Sequence, residues 1–214
     1  MVIPFYNESP EKVLRFGDVV RGYPCSTPVI KKPEIDGDFN RFRVEIEKPA
    51  FSVILSPSCS IRNKSVSLTP LVKVRGRFFD NPFLDKDLTA INREMEPENA
   101  IPPDAWKSFT DQERQARLAV GRAYSFPALF VYEKHDLLPK YEMSRKSGKI
   151  TTNYYMIDFS SSYKLGCDEI IDPENSPIYS KCLQLSETTR LELLYKVVGY
   201  FNRVSREDAA GNEE

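Results

Sequence analysis

KPAFSVILSPSCSIRNKSVSLTPLVKV, residues 48–74, is the stretch around which the rest of the chain is built. Two β-branched, apolar runs, Phe51–Leu55 and Val66–Val74, flank the polar connection Ser56-Pro57-Ser58-Cys59-Ser60-Ile61-Arg62-Asn63-Lys64. That pattern reads as strand, turn and strand. The first run is apolar enough to lie centrally in its sheet rather than at an edge.

Working outward from this hairpin, Arg41 to Glu47 alternates charged and apolar side chains, predicting a half-buried strand with Phe42, Val44 and Ile46 facing inward. Before it, Pro24, Pro28 and Pro33 predict an ordered loop over 23–38 without regular structure. Gly17 to Gly22 reads as a brief strand. Ser9-Pro10-Glu11 has the form of a helix start, with Gly17 as the stop. Downstream, Phe83, Leu84, Leu88 and Ile91 fall at helical spacing and predict a helix over 80–96. Thr110 and Glu113 form a capping box that opens a second helix through about Ala123. Residues 80–124 are therefore expected to be a mainly helical insertion. Strands resume at Ala128–Tyr132 and Asn153–Phe159, separated by a polar loop containing Ser144–Lys149. Pro173 and Pro177 mark another irregular connection. Ser186 then caps a helix over 186–204. Its stripe of Leu191, Leu194, Val198 and Phe201, widened by Leu193, Val197 and Tyr200, predicts packing against a large surface. The polar tail at 207–214 reads as disordered.

Composition bounds the function classes. The 214 residues suit one large domain, or one domain with an insertion, and 41% hydrophobic with 29% charged residues suits a globular protein with a core. Thirty basic against thirty-one acidic residues, a net charge of −1, exclude a broad nucleic-acid footprint but leave room for a local basic patch. No apolar run reaches the ~20 residues that span a bilayer, and the N-terminus has no signal-peptide pattern, so a cytoplasmic protein without a membrane partner is expected. Cys25, Cys59, Cys167 and Cys182 are widely spaced, predicting reduced, mostly buried thiols. With His135 alone in sequence, no metal site and no cofactor are expected.

Chemistry-bearing positions are few. Cys59, in the turn, becomes a nucleophile only if a base or cation such as Arg62, Lys64 or His135 lies against it. Otherwise it fills a tight turn. His135 and Asp136 follow a strand and read as structural or surface groups. Asp158 interrupts an apolar run, and it either caps the strand or pairs with Arg203. Arg145, Lys146 and Lys149, with Tyr154 and Tyr155 nearby, could contact phosphates and stack bases, and solvated loop charge is the plainer reading. No glycine-rich phosphate cradle, nucleophile elbow or H-E-x-x-H pattern is present.

Gly17-Asp18-Val19-Val20, Lys48-Pro49-Ala50, Val53-Ile54-Leu55-Ser56-Pro57 and Leu68-Thr69-Pro70-Leu71 together resemble the MazF/PemK family. Its pattern runs G-D-I-V, R-P-A, V-V-L-S-P, an asparagine-containing turn, and P-I-T. The resemblance covers residues 17–74. It implies an α+β fold built on a small, closed, SH3-like β-barrel, with strands within 17–74 and 128–160, of a kind that commonly forms homodimers. Family members are mRNA endoribonucleases paired with antitoxins. Their arginine and their serine or threonine after the P-I pair are replaced here by Lys48 and Val72, while Thr69 lies three residues earlier, on the opposite strand face. Lysine lacks the planar fork that grips phosphate bidentately, and valine has no hydroxyl. The expectation is therefore a single-domain, non-catalytic binding component of a prokaryotic conflict system, of the phage-defence or toxin–antitoxin type, with a protein partner and contact to nucleic acid. Two alternatives stand beside it: an endoribonuclease rearranged around Lys48, Arg62 and Thr69, and a thiol-dependent enzyme centred on Cys59.

Overall fold

The computed structural model describes residues 4–30, 42–62, 65–80, 84, 87–92, 100–101, 103–119, 123–124, 126–166 and 181–202. In chain order come β1 (Val19–Arg21), β2 (Cys25–Ile30), β3 (Phe42–Glu47), β4 (Phe51–Ile54), α1 (Ser58–Arg62), β5 (Ser65–Pro70) and β6 (Val72–Lys73). They are followed by β7 (Ala100–Ile101), α2 (Pro103–Ser108), α3 (Asp111–Ala119), β8 (Ala123–Tyr124) and β9 (Leu129–Tyr132). The hairpin strands β10 (Tyr141–Arg145) and β11 (Gly148–Thr152), then β12 (Tyr155–Asp158), β13 (Tyr163–Gly166), β14 (Lys181–Leu183) and α4 (Glu187–Phe201), complete the chain. The architecture is α+β with antiparallel sheets, and β7 and β8 form a short parallel pair. Among the described residues no sheet closes into a barrel. The chain divides into two compact units, one of Glu8–Val72 and Ser161–Gln184, the other of Met1–Asn7, Lys73–Ser160 and Leu185–Glu214.

In the first unit the hairpin of residues 48–74 forms as expected, with Val53 opposite Thr69 and Ile54 opposite Leu68. The sheet order is β13-β5-β4-β1-β14, so β4 is central, as its apolar sequence requires. Leu14, Val20, Tyr23, Ile54, Ile61, Val66 and Leu68 form its core. The connection predicted as a polar turn instead contains α1. Pro57 accepts the Ser60 and Ile61 N–H groups at 3.0 and 3.3 Å, and Ile61 is drawn into the core.

The helix expected from Ser9 does not form, because its backbone groups are claimed by a buried polar cluster. The Lys181 ammonium donates to Asp18 Oδ2 at 2.8 Å, Gln184 Oε1 at 2.7 Å and Val13 O at 2.9 Å. Those three bonds use all three ammonium protons. The same acceptors also take backbone donors, Arg15 N–H to Asp18 Oδ2 at 2.7 Å and Glu11 N–H to Gln184 Oε1 at 2.8 Å. Tertiary partners thus replace the hydrogen bonds a helix would have made internally.

Residues 25–30, predicted as loop, pair with β3 along their whole length, Pro28 opposite Val44. In a two-stranded ribbon every strand is an edge, where proline's missing N–H is tolerated. Ile46, predicted to face inward, is 74% exposed, because this ribbon has no third layer over it among the described residues.

The second unit carries the sheet β6-β12-β9, with Met156 opposite Val131. Its core gathers Val74, Phe78, Phe79, Leu84, Leu88, Ile91, Val131, Tyr154 and Met156. The helix predicted over 80–96 is, in its described part, a 3-10 turn at Leu88–Asn92 that still buries Leu88 and Ile91. Asn92 fixes it there: its amide donates to Val131 O at 2.7 Å and its carbonyl accepts Val131 N–H at 2.6 Å. The Thr110–Glu113 capping box is formed reciprocally at 3.3 and 2.8 Å and opens α3, while Ala123, expected at the helix end, lies in β8. The Ser144–Lys149 stretch is not a loop but the tip of the β10–β11 hairpin, which turns through Gly148 at φ 119°.

α4 is capped by Ser186, whose Oγ accepts the Thr189 N–H at 3.3 Å. Its orientation reverses the expected one. Thr189, Leu193 and Lys196 are buried, while Leu191, Leu194, Val198 and Phe201 are turned to solvent. The Lys196 ammonium donates to the Ile91 carbonyl and the Tyr200 ring packs 5.6 Å from Phe159, so a polar anchor sets the rotation of the helix. The 167–180 connection, Arg203 and the 207–214 tail lie outside the described residues.

Replacing Lys181 by Met leaves the Asp18 carboxylate buried without its cation, a loss expected to cost about 3–5 kcal/mol in urea denaturation. The double variant Asp18→Leu/Lys181→Met should be closer to wild type than either single change. A single-variant loss below about 1 kcal/mol, typical of exposed pairs, would overturn this account of the cluster.

Candidate nucleic-acid interface

The segment after β5 reads Val72-Lys73-Val74-Arg75-Gly76-Arg77-Phe78. Val74 and Phe78 are buried, while Lys73, Arg75 and Arg77 are exposed. Three ties hold this segment along β10. The Val74 N–H donates to the Tyr141 hydroxyl at 2.9 Å. Gly76 lies so close to β10 that an added Cβ would sit 2.3 Å from the Ser144 carbonyl. The Lys146 N–H donates to Asp80 Oδ1 at 2.8 Å. Residues 74, 76 and 80 thus follow residues 141, 144 and 146 in step. The seam lays the Lys73–Arg77 row along β10, with Lys73 beside Tyr141 at the base of the strand and Arg145 and Lys146 at its far end, where the hairpin turns.

The two strand faces divide the hairpin cations. Lys149 stands opposite Ser144 and points outward with Glu142 and Thr151, whereas Arg145 shares the inner face with Met143 and is half-buried. The Arg145 Nε is buried with no hydrogen-bond partner. Lys73 lies 5.2 Å from the Tyr141 ring centre and Arg77 5.5 Å from the Phe78 ring, so aromatic faces steady both cations. Carboxylates lie near as well: Asp80 accepts the Lys146 N–H, Glu142 stands on the outer face, and Asp87 and Glu133 lie close enough to act on Tyr154.

Tyr154, expected to stack on bases, is buried: Lys134 covers its ring at 4.9 Å and its backbone carbonyl accepts the Tyr141 hydroxyl. Tyr155 is buried as well, donating its hydroxyl to Pro139 O at 3.0 Å. The aromatic residues of the seam are core, leaving the cations to meet a ligand. Sequence reading found Arg145, Lys146 and Lys149 and missed Lys73, Arg75 and Arg77. The alternation of basic with buried apolar residues over 73–78 was the available signal.

Thr69 is wholly buried on β5, opposite Val53. Lys48 is exposed beyond β3, and Val72 is 41% exposed on β6. Cys59 is an exposed free thiol on α1, against the expectation of a buried one, and Arg62 closes that helix with its side chain outside the described residues. Cys25 is half-buried, its thiol donating to Glu47 O at 3.4 Å. His135 has a structural role: its Nδ1 accepts the Leu137 N–H at 3.1 Å, and its ring meets Tyr6 edge-on at 5.0 Å. Asp158 caps its strand by accepting the Ser160 N–H at 3.0 Å and hydroxyl at 2.5 Å. Among the described residues no three His, Cys, Asp or Glu side chains gather closely enough to hold a metal ion. No helix among them is long and apolar enough to cross a membrane. Comparison with protein-family models, with curated proteins and with solved structures finds no match.

Two measurements probe the seam. Gly76→Ala adds a methyl against the Ser144 carbonyl and should lower the melting temperature, whereas Gly166→Ala, with open space around it, should be close to neutral. Burial pushes the Tyr141 phenol up to about 12 from its ordinary 10.0. The folded protein therefore holds this proton where the unfolded chain loses it. The contribution is complete below the unfolded pKa and is lost as pH rises through the interval to the folded value. Melting temperature should fall across that interval, and Tyr141→Phe should remove part of the fall.

Proposed function

We propose that this protein is a non-catalytic binding component that grips the phosphate backbone of nucleic acid with the Lys73–Arg77 row and the β10–β11 tip. The observation that carries this reading is the seam itself, which runs the exposed cations Lys73, Arg75 and Arg77 along a strand that leads to Arg145 and Lys146, in a chain with net charge −1. With the neighbouring aromatic rings buried, recognition is of phosphate rather than of bases, and so is largely sequence-independent. A role in a prokaryotic conflict system, of the toxin–antitoxin or phage-defence type, with a protein partner, is proposed from the resemblance of residues 17–74 to MazF/PemK proteins. Its support is that Gly17–Val20, Val53–Pro57 and Leu68–Leu71 fall at or beside β1, β4 and β5, hydrogen-bonded neighbours in one sheet. An SH3-like ancestry for that sheet belongs to the same proposal.

The enzymatic alternatives draw less support. An endoribonuclease using Thr69 would need a hydroxyl that substrate can reach, and this one is fully buried. The Cys59 thiol has neither a hydrogen bond nor an ion pair among the described residues, whereas nucleophilic use would require an adjacent base.

Fluorescence anisotropy with labelled duplex and single-stranded RNA and DNA, over a range of salt concentrations, tests the reading. Affinity should fall linearly with log salt, and Lys73→Ala/Arg75→Ala/Arg77→Ala should reduce that slope by about 2–3 units, near one per lost phosphate contact. Salt-independent affinity, or an unchanged slope in the triple variant, would remove the interface. RNA cleavage by purified protein that disappears in Lys48→Ala would replace binding by catalysis.

A further inference from the structure

α4 presents Leu191, Leu194, Tyr195, Val198 and Phe201 to solvent, each between 40% and 61% exposed. The spacing of four of them, 191, 194, 198 and 201, is three, four, three. That is the a/d rhythm of a helix seam meeting another helix, narrower than the broad stripe by which a helix packs on a globular core. The core-packing work is done by the opposite side, through Thr189, Leu193 and Lys196. One helix therefore carries two packing faces, and its own unit uses one of them.

We propose that the outer face of α4 binds the same face of a second copy of this chain, as an antiparallel helix pair about a two-fold axis. Self-complementarity selects this occupant. In the antiparallel register Leu191 meets the partner copy's Phe201, Leu194 meets its Val198, and the axis repeats both layers. Each layer then joins unlike side chains that can interdigitate. Charge selects the direction. Glu187 lies four residues before Leu191, on the same seam, and a parallel pair would oppose it to its own counterpart. Antiparallel packing separates the two carboxylates by the length of the seam and also opposes the helix dipoles.

The area suits a weak, reversible dimer. Taking about 150–250 Å² for a whole aromatic side chain and less for an aliphatic one, the exposed parts sum to at most on the order of 500 Å² per copy. The two faces together reach about 1,000 Å², below the roughly 1,200–2,000 Å² of stable interfaces and within the range of transient ones. α4 is already ordered by its own unit, so association carries no cost of forming the helix. A dimer of micromolar affinity is the expected product.

Sedimentation equilibrium of the full chain tests this, because all the substitutions fall on exposed positions. Wild type should shift from monomer to dimer with concentration. Leu194→Glu should remain monomeric throughout, with an unchanged melting temperature. Val198→Lys should likewise be monomeric, yet mixing it with Leu194→Glu should restore a heterodimer, since residues 194 and 198 oppose one another only in the antiparallel register. Wild type that stays monomeric across the micromolar range overturns the proposal and leaves the face to a different partner. Persistent dimerisation of Leu194→Glu overturns it too. Pairing of Leu194→Glu with Leu194→Lys, in place of Val198→Lys, would overturn the antiparallel arrangement.

Discussion

The Asp18–Lys181 ion pair is the constraint on which the first unit turns. A buried carboxylate and ammonium are each expensive to remove from water, and hydrogen bonds to the protons that the ion pair leaves over offset part of that cost. Here the ammonium has three acceptors, and two of these are shared with backbone N–H groups of residues 11 and 15. The pair therefore positions β14 beside β1 and dictates the path of the chain before β1. A segment with good helix-start residues runs as an irregular strap because its polar groups have better-placed partners.

The second unit solves a similar problem with neutral groups. Tyr141 accepts from the Val74 N–H and donates to the Tyr154 carbonyl, while Asn92 clamps both backbone groups of Val131. These side chains satisfy backbone atoms that would otherwise be buried unpaired. The Tyr141 bond has a consequence at the surface. By holding Val74 inward it sends Lys73 and Arg75 outward beside the hairpin, converting dispersed charge into a basic seam.

Legibility from sequence followed the range of the interactions. The β4–β5 hairpin, the strands β9 and β12, the Thr110–Glu113 box and the Ser186 cap were all readable, since each is specified by residues a few positions apart. The hairpin cations were readable as residue types. Their grouping with Lys73, Arg75 and Arg77 was not, because it depends on Gly76 meeting Ser144, 68 positions away. The alternative of a rearranged endoribonuclease site turned on Thr69, yet strand alternation left open which face of β5 would be covered. Only the sheet's packing answers that, and it buries the hydroxyl.

α4 sets out the division most clearly. Its sequence alone determined that residues 187–201 form a capped helix with more apolar surface than a single narrow face requires. Periodicity then favoured the richer stripe, Leu191 to Phe201, as the buried one. The tertiary structure chose the other side, because the Lys196 ammonium finds a carbonyl at the end of the 3-10 turn and Leu193 and Tyr200 fit beside it. Local sequence sets whether a helix forms and how wide its apolar surface is. Its rotation about its own axis is settled by which distant groups are there to receive each side.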